Sequence, residues 1–377
     1  MKLFWSLFLA GITACSAKCT PPPFSDFVNN EVFRPGPDYT SWGTIYARTV
    51  QLNDGSHLIT WENYPPEPPL ATFPIWKSVD GGATWTDFLN VTDQVNGWGL
   101  RYQPHFYILE EDIGAYPAGT LLLGGMSVPA DLSEAWLDIY ASHDNGATWD
   151  FVSHVAYAPG PETVTNGNDA VWEPFFLIRD GTLVCYYSDQ RDPLHAQKLV
   201  HVTTTDLVNW SEPVNDVAYE NFEARPGMTT VAHIKSTDKY ILTYEICGLG
   251  NGCPSYYKIA DTPYTFDQSE GILIEEGTDG RNPGSSPFVI WTPHPDRDDG
   301  SGLILMNGAG QDAIFVNEDD APADGWRAVE VGQWAAHSRS MEIIDVQGKK
   351  RIMLANAGHM SSAHDNYVVV GVIPIPT

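Results

Sequence analysis

Positive charge is the scarcest thing in this chain. Its 377 residues hold 20 Lys and Arg against 48 Asp and Glu, a formal charge of −28. Nucleic acid and anionic membranes are repelled by such a field, so neither is expected as a partner. A neutral substrate fits best, because an anionic one would need a local cluster of Arg. Helical periodicity is nearly missing, which leaves strands to build the fold. After the N-terminal region no segment is long and apolar enough to cross a bilayer. Several chemical signatures are missing too. No Gly-x-Ser-x-Gly elbow occurs, and "GLGNGC" opens no helix that could cradle phosphate. His359 and His364 in "GHMSSAHD" lack a carboxylate frame, and "DRDDGSG" lacks calcium-loop spacing. No metal and no cofactor is expected.

Cysteine is sparse, five in all. The N-terminus explains part of its placement. Lys2, the apolar run "LFWSLFLAGITA" and the small residues after it predict a secretion signal over residues 1–17, cut after Ala17. A lipoprotein box ending at Cys15 is the competing expectation. An oxidising compartment permits disulfides, and Cys247 and Cys253 bracket a short Gly-rich loop that a bridge would close. Cys185 lies in an apolar strand and is expected as a buried thiol; Cys19 pairs with it or stays free. Asn90 and Asn209 head glycosylation sequons.

What the chain has in quantity is repetition. "SVDGGATW" at Ser78–Trp85 returns as "SHDNGATW" at Ser142–Trp149. A coarser pattern, an apolar strand, a turn and a returning apolar strand, recurs six times, beginning near Tyr46, Arg101, Trp172, Arg225, Ser286 and Ser338. Spacing of about 50 to 70 residues suits one four-stranded sheet per repeat. The expected fold is therefore all-β: a six-bladed β-propeller of four-stranded antiparallel blades over residues 30–377, with residues 18–29 as a Pro-rich lead-in. The sixth repeat is a strand short, and "NEVFRP" near the N-terminus is the candidate to complete it. The matched boxes fall between strands three and four, where Asp80 and Asp144 accept turn amides and Trp85 and Trp149 anchor between blades. They are scaffold.

Strand one and strand two of a blade are antiparallel, so the start of one and the end of the other share a face of the disc. Strand-one starts supply Arg48, Gln103, Glu173, Arg225, Ser286 and Arg339. Strand-two ends supply Glu62, Ser188 and Glu245. Glu173 and Glu245 come from adjacent blades, and two convergent carboxylates are what glycoside cleavage uses. Burial by Trp172, Pro174 and Phe175 together with a nearby anion is expected to raise the Glu173 pKa.

The segments "NGNDAVWEPFFLIRDGTLVCYYSDQRD" and "ARPGMTTVAHI…KYILTYEICG", with both boxes, resemble glycoside hydrolase family 93. The likeness runs from about Asn30 to the C-terminus. It implies a secreted exo-α-L-arabinanase that releases arabinobiose from the non-reducing end of α-1,5-arabinan of plant cell walls, with retention. Carried over by motif, Glu173 in "VWEPF" is the acid/base and Glu245 in "LTYEICG" the nucleophile. Trp42, Arg48, Gln103, Trp172, Asp189, Arg225 and Arg339 are the expected substrate contacts, and the protein is expected to be a monomer. Two other functions compete. A sialidase would use Arg48, Arg225 and Arg339 on a carboxylate, although its Arg-Ile-Pro signature is missing. A carbohydrate-binding propeller would need no acid pair.

Overall fold

Each of the six hairpins forms as two antiparallel strands, because alternating apolar residues flank turns rich in Gly and Asp. The computed structural model describes residues 24–160, 167–250, 252–361 and 365–377. The expected signal segment, Cys15, Cys19 and His364 lie outside the described residues. The hairpins are Thr44–Gln51 with His57–Asn63, Gly99–Ile108 with Leu121–Val128, Val171–Arg179 with Thr182–Asp189, Arg225–Ile234 with Lys239–Cys247, Phe288–Pro293 with Gly302–Asn307, and Ser340–Val346 with Lys349–Asn356. Two further strands extend each pair to a four-stranded antiparallel sheet, giving six blades. First strands of neighbouring blades touch around a common axis. Second strands are buried on both faces, as Leu121–Val128 is throughout, so the core lies between blades.

Closure uses the N-terminus. The outermost strand of blade 6 is Phe27–Phe33, paired antiparallel with Val368–Ile373. It starts inside the segment read as lead-in, because Phe27 already pairs with Val372 and packs on Phe24. Among the described residues no helix is long and apolar enough to cross a membrane; the one helical turn is Phe266–Gln268.

The boxes hold their turns in the same way. Ser78 Oγ and Ser142 Oγ each donate to the following Asp at 2.8 Å, and Thr84 and Thr148 each donate backbone N–H and hydroxyl to that Asp. Trp85 and Trp149 close each box by donating to the Gly carbonyl. A third, altered box in blade 3 uses Asn209, whose amide donates to Asp206 at 2.7 Å. A glycan on Asn209 would leave one amide hydrogen for Asp206, whereas exposed Asn90 on the Thr86–Val91 strand has no such tie.

One feature repeats in every blade. A non-glycine residue with positive φ stands within the first five residues of strand one (Tyr46, Gln103, Glu173, Met228) or two residues before it (Ser286, Ser338). In the first four blades it lies within a β-bulge. A bulge adds a residue and re-aims the side chains around it. Six such bends at one end of the disc make the rim around the axis.

Candidate active site

The rim brings Glu173 and Glu245 together. Gly227 pairs with Glu245 across the blade-4 hairpin. Glu173 Oε2 and Glu245 Oε1 each lie 3.7 Å from the point a Cβ on Gly227 would occupy, so their separation cannot exceed twice that distance. That bound admits the roughly 5–5.5 Å of a retaining pair and only the lower end of inverting spacings. A Cβ here would meet the Gln197 amide nitrogen at 2.9 Å, so a larger residue would displace that side chain.

Each carboxylate accepts a backbone N–H from the next blade. Met228 N–H donates to Glu173 Oε2 at 2.6 Å and Ser188 Oγ–H at 2.8 Å. Ser286 N–H donates to Glu245 Oε2 at 2.6 Å, and the Cys247 sulfur lies 3.4 Å from Oε1. Cys247 is bridged to Cys253, as expected, and Cys185 is a buried free thiol. Among the described residues the one grouping of metal-type ligands is Glu245 with these two cysteines, whose sulfurs are bonded to each other.

Burial raises the pKa of Glu173, eased by Met228 N–H, Ser188, Arg225 and Arg48. The expected push from a neighbouring anion acts within the pair. Burial first and then the Glu173 charge lift Glu245 to about 7. Arg225 stands beside both acids, its guanidinium on Gln197 at 3.1 Å. Gln197 also donates to the Pro226 carbonyl at 2.8 Å, which fixes its amide next to Gly227.

A third acid, Glu62, shares the rim. Its oxygens accept from Gln103 N–H at 3.0 Å and Tyr64 O–H at 2.7 Å, and burial lifts it to about 7. Gln103 is buried with a side-chain oxygen that has no partner. Trp42 donates to the Met360 carbonyl and meets Tyr64 edge-on, and Trp172 is buried beside Glu173 in the chain with its indole N–H unpartnered.

Three expected contacts are corrected. Arg339 is fully buried and donates to the carbonyls of Asp312, Ala313, Gln333 and Trp334; it clasps blades 5 and 6 and cannot reach a sugar. Asp189 is gripped by Arg191 at 2.9 and 2.7 Å, so its carboxylate is occupied. Arg48 is buried under Tyr46, 3.8 Å from the ring centre, and donates to Ala47 and Ser338. It also lines a cavity of about 950 Å³ that follows the second halves of the first strands and is lined by neither Glu173 nor Glu245. With Arg339 and Arg48 so engaged, Arg48, Arg225 and Arg339 do not converge as the carboxylate-binding trio a sialidase would use.

The bulges also placed residues that counting along the strands missed. Tyr46 and Met228 form an apolar patch with Ile45, flanked by Trp42 and Tyr64. His337 shares a 2.8 Å hydrogen bond with Ser286 Oγ, directly behind Glu245, and burial lowers its pKa to about 4.

No protein-family profile and no curated protein matches this sequence. Solved structures do. An α-L-arabinofuranosidase of Fusarium graminearum, in complex with arabinobiose, is 42% identical over 93% of this chain and 98% of that one, at a TM-score of 0.88. The α-L-arabinanase of Penicillium chrysogenum, also with arabinobiose, is 38% identical at the same coverage, with a TM-score of 0.87. The NanB sialidase of Streptococcus pneumoniae shares only the fold, at 9% identity over 92% of this chain and a TM-score of 0.58. Identity of about two-fifths over nearly the whole of both chains makes this protein a member of glycoside hydrolase family 93.

Proposed function

We propose that the protein is a secreted, monomeric exo-α-1,5-L-arabinanase that releases arabinobiose with retention of configuration. The observation that carries this is the Glu173–Glu245 pair beside Gly227, in a chain whose relatives are crystallised with arabinobiose. Glu245 Oε1 attacks the anomeric carbon while Glu173 gives its proton to the departing glycosidic oxygen. A covalent glycosyl ester forms, and the remaining polymer leaves. Glu173, now a carboxylate, takes a proton from water. That water attacks the same carbon, and Glu245 departs as a carboxylate.

In the free protein burial raises both carboxyls, and their mutual charge favours a single proton on the pair. A coupled pair shares its titration, so resting protonation does not assign the roles. Motif correspondence makes Glu173 the acid/base. Arg225 lies beside both acids and eases charge on either.

Incubation with linear α-1,5-arabinan tests the activity: arabinobiose as first product supports it, and mixed longer oligomers contradict exo action. Secretion rests on the N-terminal signal, and Lys18 as the first residue of protein recovered from culture medium is the expected result.

A further inference from the structure

A second cavity, about 520 Å³, lies where blade 1 meets the closing strand of blade 6. It reaches the same end of the disc as the acids. Trp61 and Asn63 line it, while Glu62 between them turns to the rim, as strand alternation requires. Its aromatic wall is preformed. Phe33 stacks on fully buried Trp61 at 5.1 Å and meets Trp76 edge-on at 5.7 Å; Tyr39 and Trp98 are half-buried on the same lining. The Pro65–Pro69 loop contributes too, pinned where both Arg101 amino groups pair with Glu67.

The polar lining is selective. Asp87, Asn90 and Thr92 are accessible, and their side chains make no hydrogen bond within the described residues, whereas Asp93 is occupied by three amides and Ser127. Among the described residues no cationic side chain lines the cavity. Half-exposed rings, free amide, hydroxyl and carboxylate groups, and no cation describe a site for a neutral polyhydroxylated chain rather than an anion or an apolar partner.

We propose that this groove is a second carbohydrate site, which holds a distal stretch of the same arabinan chain whose end is cleaved at Glu173 and Glu245; the identity of the occupant rests on the arabinanase function above. Tethering at two sites raises the effective concentration of chain ends at the pocket without altering chemistry there.

The test compares Tyr39→Ala/Asp87→Ala and, separately, Trp98→Ala with the unaltered protein on arabinotriose and on linear arabinan. Expected are unchanged kcat/KM on arabinotriose and about a three- to tenfold fall on arabinan, carried by KM. In a Glu173→Gln background, retardation in arabinan-containing gels is expected to drop by a similar factor. Equal effects on both substrates, or none on either, overturn the site. An unaltered protein that cleaves neither substrate contradicts the arabinanase function, and with it the occupant. If enzymatic removal of N-linked glycan lowers the Tm of glycosylated protein while the groove variants leave arabinan affinity intact, the groove seats the protein's own glycan and the proposal fails.

Discussion

Glu62 and Glu245 occupy the same place in their blades. Each ends a second strand and accepts the amide of the positive-φ residue that opens the next blade, Gln103 for one and Ser286 for the other. They differ in what remains free. Tyr64 takes the second oxygen of Glu62, whereas Glu245 keeps Oε1 turned toward Gly227 and Glu173. Substitution should separate them. Glu245→Ala is expected to lower kcat by on the order of 10⁴-fold or more, and Glu62→Gln by far less, acting through the position of Gln103. Azide then assigns the roles: with Glu173→Ala it should yield an α-linked glycosyl azide, and with Glu245→Ala a β-linked one. The reverse pattern exchanges acid and nucleophile.

Activity should follow the one-proton form of the pair. Glu245 sits at about 7 against an ordinary 4.5, by burial and then by the charge of Glu173. Raising the pH through about 7 strips the shared proton and removes the acid; strong acid adds a second proton and removes the nucleophile. A bell-shaped kcat/KM profile with its alkaline limb near pH 7 is expected. Glu173→Gln removes the neighbouring charge, so the Glu245 pKa falls and the alkaline limb should vanish. A limb that persists unchanged assigns it to another group.

Gly227→Ala puts a methyl group among both carboxylates and the Gln197 amide. Displacement of the pair by even a fraction of an ångström should lower kcat/KM by about 100-fold. Circular dichroism and a Tm close to that of the unaltered protein would show that the loss is local.

Arg339 and Arg225 were both expected at the substrate, and the structure gives them opposite signatures. Arg339→Ala takes the donor from the Asp312, Ala313 and Gln333 carbonyls, while Trp334 keeps Asn356, and is expected to cost about 3 kcal/mol of stability, read from denaturant unfolding. Arg225→Ala should leave stability nearly unchanged and lower kcat/KM by on the order of tenfold or more.

Removal of residues 24–33 takes away the fourth strand of blade 6 and bares the edge of Val368–Ile373. The Tm should fall by on the order of 10 °C, with aggregation. An unchanged Tm would mean that the ring holds without this closure.

Much of this was legible in the chain because strand alternation and hairpin polarity are local. Six repeats, Glu173 and Glu245 on one rim, the closing N-terminal strand and the Cys247–Cys253 bridge all follow from period-two patterning and turn residues. A bulge inserts a residue without changing composition, so counting along the strand put Arg48 at the rim position that Tyr46 occupies. Arg339 was likewise counted at the rim, where the positive-φ residue is Ser338. Gln197 and His337 reach the site from other segments, and only packing between blades brings them there. Asp189 had a local warning, Arg191 two residues on, which grips it.

The anomeric configuration of the first-formed product bears most directly on two acids acting at one glycosidic bond. Proton NMR during the first minutes of linear arabinan cleavage should show the α-anomer of arabinobiose appearing first and mutarotating later. The β-anomer appearing first would mean direct displacement by water, and would contradict Glu245 as nucleophile.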